Sequence, residues 1–318
     1  MISIILPIFN EEENLALLYE RLSKVAKTVN MPYEIIFIND GSSDKSEQMI
    51  RDILAHDKNV VLINFSRNFG HQAAISAGLK YAKGKVVAIL DADLQDPPEE
   101  LPRLIAKWKE GFQVVYAIRT KRKEGIFKRA AYAVFYRTLQ MISDIDIPLD
   151  SGDFCLMDRK VVDALNIDMP ERIRFVRGLR AFAGFKQVGI ESERSERHAG
   201  KPKYTFRKLM KLAMDGIFDF STFPLRLSSY LGFFIAFTSF LVGIFFILSR
   251  IFDFKILGHS PVENPGFATT VVGIFFLGGI ILIILGIMGE YLGRIYYEVK
   301  QRPFYIVSEV CQHQNKSA

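Results

Sequence analysis

Two cysteines in 318 residues, Cys155 and Cys311, cannot build a disulfide framework. That excludes the small, disulfide-stapled secreted class and fits a reducing, cytosol-facing compartment. Cys155, set among apolar residues, reads as a small core side chain. The chain holds one tryptophan, Trp108, and no repeat of solenoid period. No secretory leader is read ahead of Met1-Ile2-Ser3, and the first segment is expected to be a strand. The formal net charge is +6, yet no recognisable nucleic-acid module accompanies it, so nucleic acid is not the expected partner. Charge is missing altogether from two stretches, Leu227 to Ser249 and Asn264 to Gly289. Each is long enough to cross about 30 Å of hydrocarbon as a helix.

The rest of the chain alternates apolar runs with amphipathic segments. Ser3 to Phe9, Tyr33 to Ile38, Val60 to Phe65, Val86 to Leu90 and Val114 to Ile118 read as strands. Between the first two, Leu15, Leu18 and Leu22 share one helix face, with Asn10 as the expected cap and Glu11, Glu12 and Glu13 in the first turn. Asp44 with Glu47 has the form of a capping box. Gly70 to Ala82 is a helix of small residues, suited to close packing on a sheet. Strand–helix alternation predicts an α/β domain with a parallel sheet covered on both faces. Ligands of such sheets sit beyond the carboxyl ends of the strands, where Asp40, Asp91 and Asp93 all fall. Asp91 and Asp93, one residue apart at a strand end, can reach one small cation. Carboxylates suit Mg²⁺ or Mn²⁺, with substrate phosphates completing the shell. A solvated acidic turn is the alternative for the same two residues.

Four motifs occur in order: Leu6-Pro7-Ile8-Phe9-Asn10-Glu11, Asn39-Asp40-Gly41-Ser42-Ser43-Asp44, Arg67-Asn68-Phe69-Gly70 and Asp91-Ala92-Asp93-Leu94-Gln95-Asp96-Pro97-Pro98. Together they resemble family 2 glycosyltransferases of the GT-A (Rossmann-like) fold. The resemblance is strongest to the branch that loads a sugar onto a polyprenyl phosphate: dolichyl-phosphate mannose synthase and bactoprenol glucosyltransferases of the GtrB type. It covers nearly the whole chain. It implies nucleotide binding at Asp40, a metal at Asp91 and Asp93 with Gln95 close to the metal or diphosphate, and a nucleotide pocket lined by Pro7 and Glu11. Strand-end punctuation is the alternative for Pro7, and a helix-dipole charge for Glu11. His71 and Gln72 stand where relatives often carry a Lys-Glu pair, and His71 is given no role. Trp108 lies in Lys107-Trp108-Lys109, so the Gln-x-x-Arg-Trp motif of processive synthases is missing.

A basic run, Arg119-Thr120-Lys121-Arg122-Lys123, leaves the fifth strand, followed by Lys128 and Arg129. Guanidinium clusters suit phosphate, and nearby apolar segments favour an anionic lipid as its source. The resemblance points to Arg119 and a basic residue of the next helix, Lys128 or Arg129, as lipid-phosphate contacts, with Arg122 in the same run. Ser151-Gly152-Asp153-Phe154 matches a Gly-Asp-Phe motif whose aspartate lies beside the acceptor; a turn carboxylate is the alternative. A phosphate acceptor needs no general base, because its second pKa is about 6. Asp153 is therefore expected to position the acceptor, with base catalysis the weaker option. Arg194 to Tyr204 resembles the family's Arg-x-x-Gly-x-Ser-Lys-Tyr loop, in which Arg197 and Lys203 are phosphate candidates. Lys201 adds charge there, and Pro202 replaces the usual serine.

The expected layout is a catalytic domain at 1–203, an amphipathic interface helix at 204–226, spans at 227–249 and 264–289 around a short extracytoplasmic loop at 250–263, and a tail at 290–318. Basic residues on both outer flanks place the catalytic domain and both termini in the cytoplasm, with the chain multi-pass in the cell inner membrane. Gly289 and Gly293 have the small-xxx-small spacing that permits a homo-oligomer. The expected reaction is inverting transfer of a hexose, glucose from UDP-glucose, to undecaprenyl phosphate. The alternatives are another donor, GDP-mannose or a UDP-modified arabinose, or a non-catalytic lipid-binding scaffold.

Overall fold

The computed structural model describes residues 1–119, 151–172, 174–193, 221–252 and 267–313. These residues fall into two compact units.

The first unit is an eight-stranded sheet in the order β7-β5-β6-β4-β1-β2-β3-β8. The strands are β1 (Ile2–Ile8), β2 (Tyr33–Asn39), β3 (Val60–Phe65), β4 (Val86–Ile89), β5 (Val114–Arg119), β6 (Ser151–Asp158), β7 (Gln187–Ser192) and β8 (Val307–Gln312). The centre, β3-β2-β1-β4, is parallel as expected. The whole is not: β6 runs antiparallel to β4 and β5, and β8 antiparallel to β3. All seven residues of β1 are buried, as a strand covered on both faces requires.

Helices α1 (Glu12–Thr28), α2 (Ser46–His56), α3 (His71–Tyr81) and α4 (Leu101–Lys109) follow β1 to β4. Leu15, Leu18 and Leu22 of α1 are fully buried in the main core with Ile4 and Leu6 of β1. Each such leucine contributes roughly 1.5–3 kcal/mol by leaving water. The small-residue helix packs as closely as its composition predicts. A Cβ on Gly78 of α3 would stand 2.4 Å from Ile5 Cγ2 and 3.0 Å from Ile38 Cδ1. Beyond β6 come α5 (Arg159–Asp163), continued by a π-helical turn at Ala164–Asp168, and α6 (Val176–Phe182). Cys155 is buried, and burial pushes its thiol up, in keeping with a core role.

Two local readings change. Asn10 does not cap α1; Glu11 occupies that position. Asn10 adopts a left-handed φ of 52° and turns its side chain to the β2–α2 turn. Asp44 and Glu47 do not form a box either. Asp44 accepts from Ser46 N at 3.0 Å and Glu12 N at 3.1 Å, while Glu47 faces Asn39, Asn64 and Arg51.

β8 is a strand that the pattern of the sequence does not signal. Residues 301–313, expected as tail, belong to the sheet unit. Tyr305 stacks on Phe65 with centroids 5.1 Å apart, and Glu309 pairs with Arg51 of α2.

The second unit contains α7 (Phe223–Phe252) and α8 (Phe267–Lys300). Phe223–Val242 and Gly273–Lys300 are long and apolar enough to cross a membrane. Their Phe233, Phe237, Phe275 and Leu282 side chains are exposed. The helix α8 extends past Gly289, the expected end of the second span, to Lys300.

Candidate active site

Strands β1, β2, β4 and β5 end at one edge of the sheet. Because β6 runs antiparallel to β4 and β5, it begins there: Ser151 pairs with Ile118 near the end of β5. Asp153 therefore joins Asp40 and Asp91 at a single edge, although β6 points the other way.

The β2–α2 turn is built by its polar residues. Asn39 Oδ1 accepts from Ser42 N at 3.0 Å, Asn10 Oδ1 from Ser43 N at 2.8 Å, and Ser46 Oγ from Glu11 N at 2.9 Å. Gly41 has φ +67°, and an added Cβ would lie 2.6 Å from Asn68 N, so the turn sits directly on the 67–70 loop. Asp40 is 3% exposed and binds that loop with both carboxylate oxygens. Phe69 N donates to one at 2.7 Å and Gly70 N to the other at 2.9 Å. Burial pushes the Asp40 carboxyl above its ordinary value, and the two backbone donors partly offset this. The residue expected to touch the nucleotide is thus also the brace that shapes the loop beside it. Glu11 accepts from Asn14 Nδ2 at 2.7 Å, and Pro7 is buried within β1 opposite Ile38.

Ala92, Asp93 and Leu94 are all buried and Asp91 is half-buried, so the turn carrying the two aspartates is packed rather than solvated. Asp93 Oδ1 accepts from Gln95 N at 3.1 Å, and Leu94 holds a left-handed φ of 59°. That conformation costs a branched residue about 1–2 kcal/mol, supplied here by burial. Among the described residues no three His, Cys, Asp or Glu side chains form a metal cage. The carboxylates of Asp91 and Asp93, with the Gln95 amide two residues on, are hard oxygen donors whose chemistry fits Mg²⁺ or Mn²⁺.

The structure adds two residues to the site. His71, at the start of α3, has Nε2 3.3 Å from Asp153 Oδ2 and 3.6 Å from Asp91 Oδ1. Arg177 of α6 has Nε 3.0 Å from Asp153 Oδ1. Burial alone pushes the His71 imidazole down, but the hydrogen bond with Asp153 and the charge of Asp91 outweigh it and raise it to about 9. A histidine beside an expected carboxylate 82 residues away carries no local signal, and the His71-Gln72 departure from Lys-Glu is the one hint in the sequence.

Arg119 closes β5, with its backbone paired to Ser192 of β7. The side chain of Arg119 lies outside the described residues, as do Arg122, Lys128, Arg129, Arg197, Lys203 and the 204–220 segment.

A mixed sheet whose carboxyl edge gathers a nucleotide-type turn, a paired-aspartate turn and a third aspartate from an antiparallel strand defines a GT-A glycosyltransferase. The chain belongs to glycosyl transferase family 2, whose profile matches residues 3–165. It is similar along nearly its whole length to an uncharacterised glycosyltransferase of Bacillus subtilis, YkcC, at 48% identity over 99% of this chain and 95% of the relative. A prophage-derived bactoprenol glucosyl transferase of Shigella flexneri is 42% identical over 97% of both chains. A prophage bactoprenol glucosyl transferase homolog of Escherichia coli is 41% identical over 97% of this chain and 99% of the relative.

Proposed function

We propose that this glycosyltransferase moves glucose from UDP-glucose, with inversion, to undecaprenyl or a related polyprenyl phosphate at the cytoplasmic face of a membrane. The observation that carries the reading is the meeting of Asp91, His71, Asp153 and Arg177 at the sheet edge, where a paired-aspartate turn adjoins a carboxylate held by cationic donors. The 42% identity to a bactoprenol glucosyl transferase supports the acceptor.

A phosphate oxygen of the acceptor attacks the anomeric carbon. The bond from that carbon to the diphosphate oxygen breaks, and UDP leaves with the electron pair. The attacking phosphate is mostly dianionic at neutral pH, so no residue is needed to deprotonate it. The task of the chain is to bring two anions together. A divalent cation held by Asp91, Asp93 and Gln95 would neutralise charge on the leaving diphosphate. Asp40, the Asn39–Asp44 turn, Pro7 and Glu11 form the nucleotide side. Arg119, with Arg122, Lys128 or Arg129, and Arg197 and Lys203 supply positive charge for the lipid phosphate.

The exposed apolar faces of α7 and α8 fit insertion in the bilayer as two spans. Arg226 in the first turn of α7, with Arg294, Lys300 and Arg302 towards and beyond the end of α8, supports placing both flanks in the cytoplasm. Anchoring raises the effective concentration of a membrane-bound acceptor.

The test is to incubate membranes containing the full chain with labelled UDP-glucose and undecaprenyl phosphate. Labelled glycolipid is expected. Labelled lipid from GDP-mannose but not from UDP-glucose overturns the donor, and no labelled lipid from any sugar nucleotide overturns the acceptor.

A further inference from the structure

We propose that His71, Gln72 and Arg177 are positioning residues that clamp Asp153 in the geometry for acceptor attack and hold it at a fixed spacing from Asp91. The geometry has three parts. His71 Nε2 approaches one oxygen of Asp153 at 3.3 Å and Asp91 Oδ1 at 3.6 Å. Arg177 Nε approaches the other oxygen of Asp153 at 3.0 Å, so the carboxylate is gripped from two helices. Gln72, next to His71, sets the second helix: its Oε1 accepts from Val176 N, the first residue of α6, at 3.0 Å. One dipeptide at the start of α3 thus touches the acceptor-side carboxylate with one side chain and fixes the helix bearing Arg177 with the other.

The surroundings stiffen the clamp. The Phe175 ring lies 5.2 Å beneath the Arg177 guanidinium. The side chains of Asp153 and Arg177 are 12% and 18% exposed, so their attraction is only partly screened. The hydrogen bond to Asp153 needs only the Nε2–H of His71, which both the imidazolium and the Nε2-protonated tautomer carry.

Two carboxylates each within 3.6 Å of one nitrogen repel one another unless a donor stands between them. His71 stands there, hydrogen-bonded to Asp153 and 3.6 Å from Asp91, and its removal is expected to let Asp153 move away from the paired-aspartate turn. A carboxylate with one oxygen hydrogen-bonded to His71 and the other ion-paired with Arg177 is a poor proton acceptor, so the clamp assigns Asp153 to orientation rather than base catalysis. Misplacement of a positioning group by about 1 Å costs roughly a hundredfold in rate.

Resting on the acceptor-side reading of Asp153, the experiment compares wild type, His71→Ala, His71→Gln and Arg177→Lys as full-length protein in detergent with undecaprenyl phosphate. Calorimetry with UDP and Mn²⁺ runs in parallel. His71→Ala is expected to lower kcat by roughly ten- to a hundredfold while changing the nucleotide Kd less than threefold. His71→Gln keeps an N–H donor and is expected to recover kcat to within about fivefold of wild type. Arg177→Lys is expected to fall between the two, since a point charge replaces an oriented fork. A His71→Ala enzyme with wild-type kcat overturns the proposal, as does His71→Gln no better than His71→Ala. A double-mutant cycle of His71→Ala and Asp153→Ala on unfolding tests the clamp apart from the acceptor. Coupling of at least about fivefold in the folding equilibrium is expected. Absence of coupling overturns the clamp even if glycolipid forms, whereas coupling in a protein that glucosylates no lipid overturns the acceptor reading alone.

Discussion

Gly41 and Gly184 form a matched pair for testing how the nucleotide-side turn is held. Their φ angles are +67° and +68°, so an alanine at either meets the same left-handed penalty, about 1–2 kcal/mol. The space around them differs. A Cβ on Gly184 finds its nearest atom, Phe182 O, at 3.9 Å, whereas a Cβ on Gly41 lies 2.6 Å from Asn68 N and 2.7 Å from the Arg67 carbonyl carbon. Those are backbone atoms and cannot rotate aside. To restore an ordinary contact, the 67–68 backbone must recede by about 0.8 Å. A similar movement of the adjoining amides would lengthen the bonds from Phe69 N and Gly70 N to Asp40, now 2.7 and 2.9 Å, to about 3.5 and 3.7 Å, at and past the limit of a hydrogen bond. Weakening bonds to a buried carboxylate adds about 1–3 kcal/mol. Gly184→Ala is therefore expected to cost about 1–2 kcal/mol, and Gly41→Ala about 2–5 kcal/mol. Urea unfolding of the detergent-solubilised full chain measures both, and calorimetric titration with UDP measures the site. Nucleotide affinity is expected to drop at least tenfold in Gly41→Ala and to stay unchanged in Gly184→Ala. Equal destabilisation of the two variants, with UDP binding intact in both, would refute the packing of the turn on the 67–70 loop as the source of its shape.

Asp91→Ala and Asp93→Ala are each expected to reduce transfer at least a hundredfold and to abolish the Mn²⁺ dependence of UDP binding, while detergent extraction still recovers the protein from membranes. Chelation of wild type with EDTA should reproduce the loss, and added Mg²⁺ or Mn²⁺ should reverse it. At Gly78, alanine intrudes on Ile5 and Ile38 across the α3–sheet contact; about 1–3 kcal/mol of destabilisation is expected in thermal or urea unfolding. For β8, the hydrogen bond from Arg51 holds the Glu309 carboxyl down to about 2, against an ordinary value of 4.5. A depressed carboxylate contributes its stability above the unfolded value and loses it as pH falls through the folded one. The β3–β8 pairing should thus weaken between pH 4.5 and 2, read from the near-ultraviolet dichroism of the stacked Phe65–Tyr305 pair, and Glu309→Gln should flatten that transition.

The sequence by itself determined the parts whose cause is local. Continuous apolar runs identify strands buried on both faces, and carboxylates just past such runs identify a ligand edge, because a parallel sheet has one rim where its strands end. The spacing of Leu15, Leu18 and Leu22 determined which face of α1 is buried, and the small residues of 73–78 determined how closely α3 lies on β1. Two uncharged stretches determined where long apolar helices form. Tertiary structure alone decided what depends on partners far apart in the chain. The antiparallel entry of β6 brings Asp153 to the rim, since nothing in Gly152-Asp153-Phe154 records the direction of the strand it begins. Asn10, Asp44 and Glu47 are good capping residues whose side chains found cross-strand and cross-helix partners instead, and a propensity of about 1 kcal/mol yields to such contacts. Residues 307–312 become a strand only because β3 offers an open edge. His71 meets Asp91 and Asp153 for the same reason: the packing of α3 on the sheet, made close by Gly78, sets the distance between groups that the chain keeps 82 residues apart.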